Sequence, residues 1–189
     1  MKEILITSLF LCTVTICNGQ TKSQNLKIEN VTFNSIFGYS ETDSLNVFCL
    51  LGSGFFKAPT SEDTDSLISD WVKKHPKAKI FKVSSFGPTM TDQPNSKMTY
   101  CLVIEGSDTI NNYLVRKGAV PGGTMQRPET SKMNRADRKF LKEIKQSQPN
   151  TTYYMDKKSY NRFIRQIISS ENFARVNKLG IWTKDNPFE

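Results

Sequence analysis

The sequence predicts an α+β fold, in which a small five-stranded β-barrel packs against three to four helices. Two observations carry this prediction. Between residues 28 and 104, short runs of β-branched and aromatic residues are separated by glycine-rich turns. Apolar residues at helical spacing appear at 61–75 and return after residue 109. The chain has 189 residues, 37% of them hydrophobic, which is enough for one domain with a substantial core.

The predicted strands share a high content of β-branched and aromatic residues and end at glycine, proline or serine clusters. They are Val31–Phe37, Ser44–Leu51, Phe55–Lys57, Lys79–Ser84 and Lys97–Ile104.

The helices are predicted from apolar spacing and from their end signals. They cover residues 61–75, 109–117, 134–146 and 156–179. In the first helix, one face is formed by Leu67, Ile68, Trp71 and Val72, and Pro76 ends the helix. A helix after the third strand and further helices at the end describe a small OB-type barrel.

Capping residues define the second and last helices. Asp108 or Thr109 is the expected N-cap of the second, and Gly118 suits a left-handed C-terminal cap. Asp156 is the expected N-cap of the last helix, along which apolar residues form an inward stripe. This stripe comprises Tyr160, Phe163, Ile164, Ile167, Ile168, Glu171 and Ala174.

The last helix is expected to end at Leu179, with Gly180 as its cap. The following residues, Ile181 and Trp182, then turn back onto the core as a hydrophobic latch. Burial of a tryptophan side chain contributes about 2–3 kcal/mol, so such a latch would hold the C-terminus in place.

Residues 1–19 have the features of a secretory signal peptide: a charged start, a short apolar run and a small-residue exit. Cleavage near Gly19 would leave a flexible segment, 20–27, and one domain, 28–189. The protein is then periplasmic or extracellular. Lipoprotein anchoring at Cys17 is the alternative, although the bulky Ile16 occupies a position where a small residue is usual.

Cys49 and Cys101 remain after signal cleavage, each inside a predicted strand. In an exported protein they are candidates for a disulfide, or they are two small buried hydrophobic residues. The sequence leaves both open, because spacing does not show whether the strands are neighbours. His75 is the only histidine and no C-x-x-C motif exists, which argues against a zinc site.

Positive charge is concentrated in the second part of the chain. Residues 20–115 carry 9 lysines, no arginine and 10 acids, whereas residues 116–189 carry 16 basic residues and 7 acids. A basic half of this kind faces either a polyanion or only solvent.

The predicted basic helix places four cations three or four residues apart on an outward stripe: Arg135, Arg138, Lys142 and Lys145. Arg127 lies beside a glycine-rich loop whose backbone amides suit an anion. These residues predict weak, non-specific binding to nucleic acid or another polyanion. Aromatic residues are sparse between the charges, which argues against a dedicated single-strand reader.

Two blocks of the sequence resemble the secreted thermonuclease (staphylococcal nuclease-like) family. They are I-N-N-Y-L-V-R-K-G-A, which starts at Ile110, and A-R-V-N-K-L-G-I-W, which starts at Ala174. The resemblance covers about residues 97–118 and 171–186, and it implies an OB-type barrel with an insertion around 121–155.

The resemblance also implies a site for calcium-dependent phosphodiester hydrolysis, of which this sequence keeps little. Asp43 stands at a calcium-binding aspartate, and Asp63 is offered as a second ligand. Lys57, Glu62 and Lys97 stand in or near the regions of the catalytic arginine, glutamate and second arginine. No arginine precedes residue 116, and lysine does not reproduce a guanidinium fork on a phosphate.

Three functions therefore remain. The first is an exported, monomeric, non-catalytic domain that binds nucleic acid or another polyanion without a cofactor. The second is a divergent, calcium-dependent phosphodiesterase. The third is an envelope-associated structural or interaction protein. Glu62 and Asp63 are also explained as ordinary surface acids of an exposed loop.

Overall fold

The computed structural model describes residues 26–54, 58–89, 92–122, 150–184 and 187. The predicted signal peptide, Phe55–Lys57 and the predicted helix at 134–146 lie outside these residues. The described part is a mixed α+β structure with a curled sheet and three α-helices.

The strands of the sheet are β1 (Leu26–Lys27), β2 (Thr32–Asn34), β3 (Phe37–Tyr39), β4 (Asn46–Leu50), β5 (Lys79–Gly87), β6 (Lys97–Glu105), β7 (Asp108–Thr109) and β8 (Asn150–Tyr153). The helices are α1 (Thr64–Lys74), α2 (Ile110–Arg116) and α3 (Lys157–Val176). Two 3-10 turns, Ile28–Asn30 and Gly180–Thr183, complete the set.

The strand order makes the sheet curl on itself. It runs β1-β5-β6-β4-β3-β2, with β7 beside β6 and β8 beside β5. Strands β1 and β2 stand at opposite ends of this path, yet only the turn Ile28–Asn30 and Val31 separate them in the chain. The β4–β6 pair is parallel and the other pairs are antiparallel.

The inner face of the sheet forms the core. The largest fully buried side chains include Phe48 and Leu50 of β4, Val103 of β6 and Ile80 of β5. On α1, Ile68 and Trp71 are buried as predicted. The alternation of side chains along each strand produces this inner face.

Three strand predictions need correction. The run 31–37 is not one strand, because the chain reverses between β2 and β3 at Ser35, whose φ is 53°. Leu26 and Lys27, assigned to the flexible N-terminus, pair with β5 instead. Strand β8 was missed, since N-T-T-Y was treated as a spacer. Its two threonines and tyrosine were the available signal.

The capping predictions for two helices are confirmed. The Thr109 hydroxyl accepts a hydrogen bond from Asn112 N at 3.1 Å, and Gly118 has a φ of 70°. The Asp156 carboxylate accepts from Lys158 N and Ser159 N at 2.9 and 3.0 Å. Ile168, by contrast, was predicted to face inward and is 41% exposed.

The last helix ends earlier than predicted. It stops at Val176, and the left-handed residue of its C-terminal cap is Lys178, with a φ of 50°, rather than Gly180. Leu179 N donates to Ala174 O and Lys178 N to Arg175 O, which is the Schellman pattern. The latch itself is confirmed, because Trp182 is only 6% exposed and packs with Ala174 and Ile181.

Gly180 serves a close backbone crossing. Ile181 N donates to Gly118 O at 2.9 Å, so the end of the chain lies directly on the turn after α2. A Cβ added at Gly118 would clash with the Leu179 carbonyl, and one at Gly180 would clash with the Gly118 carbonyl. The close approach of the two backbone segments therefore requires glycine at both positions, because neither has room for a Cβ.

We predict that Gly118→Ala destabilises the protein much more than Gly106→Ala. Both glycines have a positive φ, which costs an alanine about 1–2 kcal/mol. Only at Gly118 does the new Cβ meet backbone, since nothing lies within 4 Å of a Cβ at Gly106. Urea unfolding of the two variants measures the difference, and equal losses would show that the crossing does not matter.

Candidate functional site

The predicted nuclease residues lie at two ends of the sheet. Asp43 precedes β4, where its Oδ2 accepts a hydrogen bond from Asn46 Nδ2 at 3.2 Å. Lys97 begins β6 opposite Asn46, and its N donates to Leu45 O at 2.8 Å. Asp43 and Lys97 therefore share the end of the sheet at which β4 begins.

Glu62 and Asp63 lie at the other end, just before α1. Asp65, two residues after Asp63, accepts a hydrogen bond at Oδ1 from Ser35 N at 2.9 Å. Ile36, the residue after Ser35, accepts through its carbonyl from Leu50 N, at the end of β4. The length of β4, about 13 Å for five residues, thus separates Asp43 from Asp63.

The structure therefore does not bring together the two predicted metal ligands, Asp43 and Asp63. Asp63 instead accepts from the Ser61 hydroxyl within its own turn. No group of three or more His, Cys, Asp or Glu side chains suited to a metal occurs among the described residues. Lys57 lies outside them.

A buried chain of hydrogen bonds leads to Asp43. Thr99 Oγ1 donates to Asn46 Oδ1 at 2.7 Å, and Ser85 Oγ lies 2.7 Å from Thr99 Oγ1. Ser85 Oγ also donates to the Tyr154 hydroxyl at 3.4 Å. This chain turns the Asn46 amide so that its NH2 group faces Asp43.

This chain of hydrogen bonds contains hydroxyls and an amide but no nucleophile paired with a base. It therefore satisfies buried polar groups and holds Asp43, and it offers no catalytic step. Sequence analysis missed it, although polar residues at inward positions of apolar strands, such as Asn46 and Thr99, were the available signal.

We predict no calcium-dependent cleavage of single-stranded DNA by the purified mature chain. The physical reason is that the carboxylates offered for metal and water lie at opposite ends of β4, and no arginine is near either set in the sequence. A fluorogenic oligonucleotide assay with calcium checks this. Cleavage that EDTA abolishes and that Glu62→Gln removes would establish the phosphodiesterase instead.

The two candidate disulfide residues are free thiols in the structure. They lie on the adjacent strands β4 and β6, but Cys49 pairs with Tyr100, whereas Cys101 pairs with Leu50. Because side chains alternate along a strand, Cys49 and Cys101 leave opposite faces of the sheet. The register is the physical reason that no bridge joins them here.

Burial sets the chemistry of both thiols. Desolvation raises the pKa of Cys49 to about 12, against a smaller lowering by a hydrogen bond with Ser53. Desolvation, and then the nearby Cys49, raise the pKa of Cys101 well above its usual value. Both thiols are therefore protonated at neutral pH and poor nucleophiles.

We predict that these thiols make stability fall at alkaline pH. The folded state keeps protons that the unfolded chain releases above about pH 9, so this stabilisation is complete below pH 9 and is lost toward pH 12. Urea unfolding between pH 8 and pH 10.5, compared with a Cys49→Val/Cys101→Val variant, isolates the effect. Rapid labelling of native protein by a thiol reagent at pH 8 would contradict it.

Helix α3 presents a cationic outer face. Its inward residues, Tyr160, Phe163 and Ile167, are buried against the body. The first fourteen residues of the helix contain no acid, and four exposed cations: Lys157, Lys158, Arg162 and Arg165. No salt bridge joins any of the four to an acid in the described part of the chain.

The two acids of this region are already engaged. Asp156 caps the helix, and hydrogen bonds from the Ser159 side chain first, and then from the Ser159 and Lys158 backbone, lower the pKa of its exposed carboxyl. Glu171 is largely buried and forms an ion pair with Arg175, with Nη2 and Oε1 2.6 Å apart. The outer face of α3 thus carries positive charge that no acid in the described part of the chain pairs with.

The predicted anion-binding residues, Arg127, Arg135, Arg138, Lys142 and Lys145, lie outside the described residues. Arg162 and Arg165 belong to the same basic half of the sequence, residues 116–189. Within the described ranges, no helix has the length and apolar character needed to cross a membrane.

No protein-family model matches the sequence, and comparison with curated proteins finds no significant similarity. The resemblance to thermonucleases therefore depends on the two quoted blocks alone.

Proposed function

We propose that this chain is an exported, non-catalytic OB-type domain that binds nucleic acid or a similar polyanion through the outer face of α3. The observation that carries this proposal is the run of exposed cations on α3, which no described acid neutralises. Clustered, unpaired cations attract phosphates by releasing condensed counterions, without reading sequence.

The topology supports the OB-type part of the proposal. The path β2-β3-β4-β6-β5-β1 gives three consecutive antiparallel strands, a parallel closing pair and a return to the first strand. This order is compatible with a small Greek-key barrel, a fold that often binds oligonucleotides. Helix α1 follows β4 and precedes β5, and the predicted third strand, Phe55–Lys57, lies outside the described residues.

The two blocks that resemble thermonucleases support the same domain type. The first contains α2 and its Gly118 turn, and the second contains the end of α3 and the Trp182 latch. In the structure they meet through the Gly118–Ile181 hydrogen bond. The residues that carry the resemblance therefore serve the scaffold, and the resemblance does not extend to catalytic arginines.

We predict that Arg162→Gln/Arg165→Gln weakens binding to DNA and to heparin. Two lost phosphate contacts should make the slope of log K against log salt shallower by about two. Fluorescence anisotropy in salt series between about 50 and 200 mM measures it.

Lys73→Gln/Lys74→Gln is the matched control, since it removes the same charge from exposed positions on α1. An equal loss in the control would attribute binding to net charge alone. Wild-type protein that binds neither polyanion at low salt would rule out this function and favour the structural alternative.

A further inference from the structure

Two arginines, Arg175 of α3 and Arg116 of α2, lie against aromatic rings near the C-terminal end of α3. They differ in whether an acid of the fold engages the guanidinium. Arg175 Cζ lies 3.7 Å from the centroid of the Trp182 ring, while its Nε donates to Glu171 Oε1 at 2.8 Å. Its charge and its donors are thus engaged within the fold. This stack fastens the latch and has little left to offer a ligand.

The second stack is open. Arg116 Cζ lies 3.6 Å from the centroid of the Phe173 ring, and Arg116 is exposed. No acidic residue or hydrogen-bond acceptor in the described part of the chain engages its guanidinium. The ring holds the guanidinium plane in place, so its N–H donors at the edge stay available to a phosphate.

The open stack lies on the same face of α3 as Arg162. Arg162 and Phe173 are eleven residues apart, which is three helical turns, so they project in nearly the same direction about 16 Å apart. Gln166 and Ser169, both exposed, lie between them. Phosphate-binding cations therefore stand at one end of this face and a planar stack at the other.

We propose that a single-stranded nucleic acid binds along this face, with phosphates at Arg162 and Arg165 and an unpaired base against the Arg116–Phe173 stack. Bases stack on aromatic rings and on arginine planes only when they are free of a duplex. The inference rests on the proposed function and names its ligand. It also revises the expectation from sequence, since Phe173 is the aromatic residue that the basic stretch lacked.

The neighbouring pair formed by Lys117 and Tyr113 is a weaker candidate. Lys117 Nζ is 5.9 Å from the centroid of the Tyr113 ring. Desolvation first, and then the carboxylates Asp70 and Asp63 of the α1 region, raise the pKa of Tyr113. Those acids make this side of α2 unfavourable for a phosphate.

The test compares two ligands of equal charge: an oligothymidylate and an abasic oligomer with the same number of phosphates. We expect the wild-type protein to bind the oligothymidylate at least about five-fold more tightly, because only this ligand has bases to stack. Arg116→Lys keeps the charge and loses the plane, and Phe173→Leu keeps the apolar cover and loses the ring. Each should bring the ratio of the two affinities close to one.

Arg165→Lys is the matched control, because a phosphate contact should respond equally with both ligands and leave their ratio unchanged. A wild-type ratio of one, or a ratio that Arg116→Lys leaves unchanged, would overturn this inference while salt-dependent polyanion binding still stands. Binding to neither ligand and to no heparin would instead remove the proposed function. If Phe173→Leu fails to fold, the exposed Arg116→Lys decides alone.

Discussion

The buried amide of Asn111 is the interaction on which the rest of the structure depends. Its Oδ1 accepts from Val103 N at 3.0 Å, and its Nδ2 donates to Leu51 O and Cys101 O at 2.8 and 3.1 Å. Strand β4 ends here while β6 continues, and Asn111 supplies partners to backbone groups at this end of the sheet. Cys101 O also accepts from Leu51 N at 2.9 Å. A buried polar group without a partner costs about 1–3 kcal/mol, and one side chain from the first turn of α2 contacts all three groups.

Because Asn111 fixes α2 against the end of the sheet, it also determines where α3 lies. The turn after α2 carries Gly118, whose carbonyl accepts from Ile181 N. Farther along, Ser170 Oγ donates to Asn112 Oδ1 at 2.7 Å. Helix α3 is thus held at two points along α2. Its cationic face is directed to solvent because its other face is committed to these contacts and to the core.

Within the block that begins at Ile110, the residues that build the scaffold are different from the residue that faces a proposed ligand. In I-N-N-Y-L-V-R-K-G, the first asparagine contacts the end of the sheet, and the glycine leaves room for the C-terminal segment. Arg116 of the same block projects outward onto Phe173. A resemblance based on this block is consequently a statement about how the helices join the barrel. It carries little information about chemistry, which in the thermonuclease family depends on arginines that this chain lacks upstream of residue 116.

Local signals in the sequence were sufficient for the elements whose ends have their own chemistry. Thr109, Asp156, Gly118 and the apolar stripe of α1 predicted their helices because capping and amphipathic spacing act within a few residues. The sequence also determined the charge asymmetry and the burial of Trp182. Tertiary structure alone decided the rest: β8 forms because β5 offers an edge, and the β4–β6 register directs Cys49 and Cys101 to opposite faces. The tertiary structure also separates Asp43 from Asp63 and brings Arg116 against Phe173, because residues far apart in sequence meet only when the sheet and helices have packed.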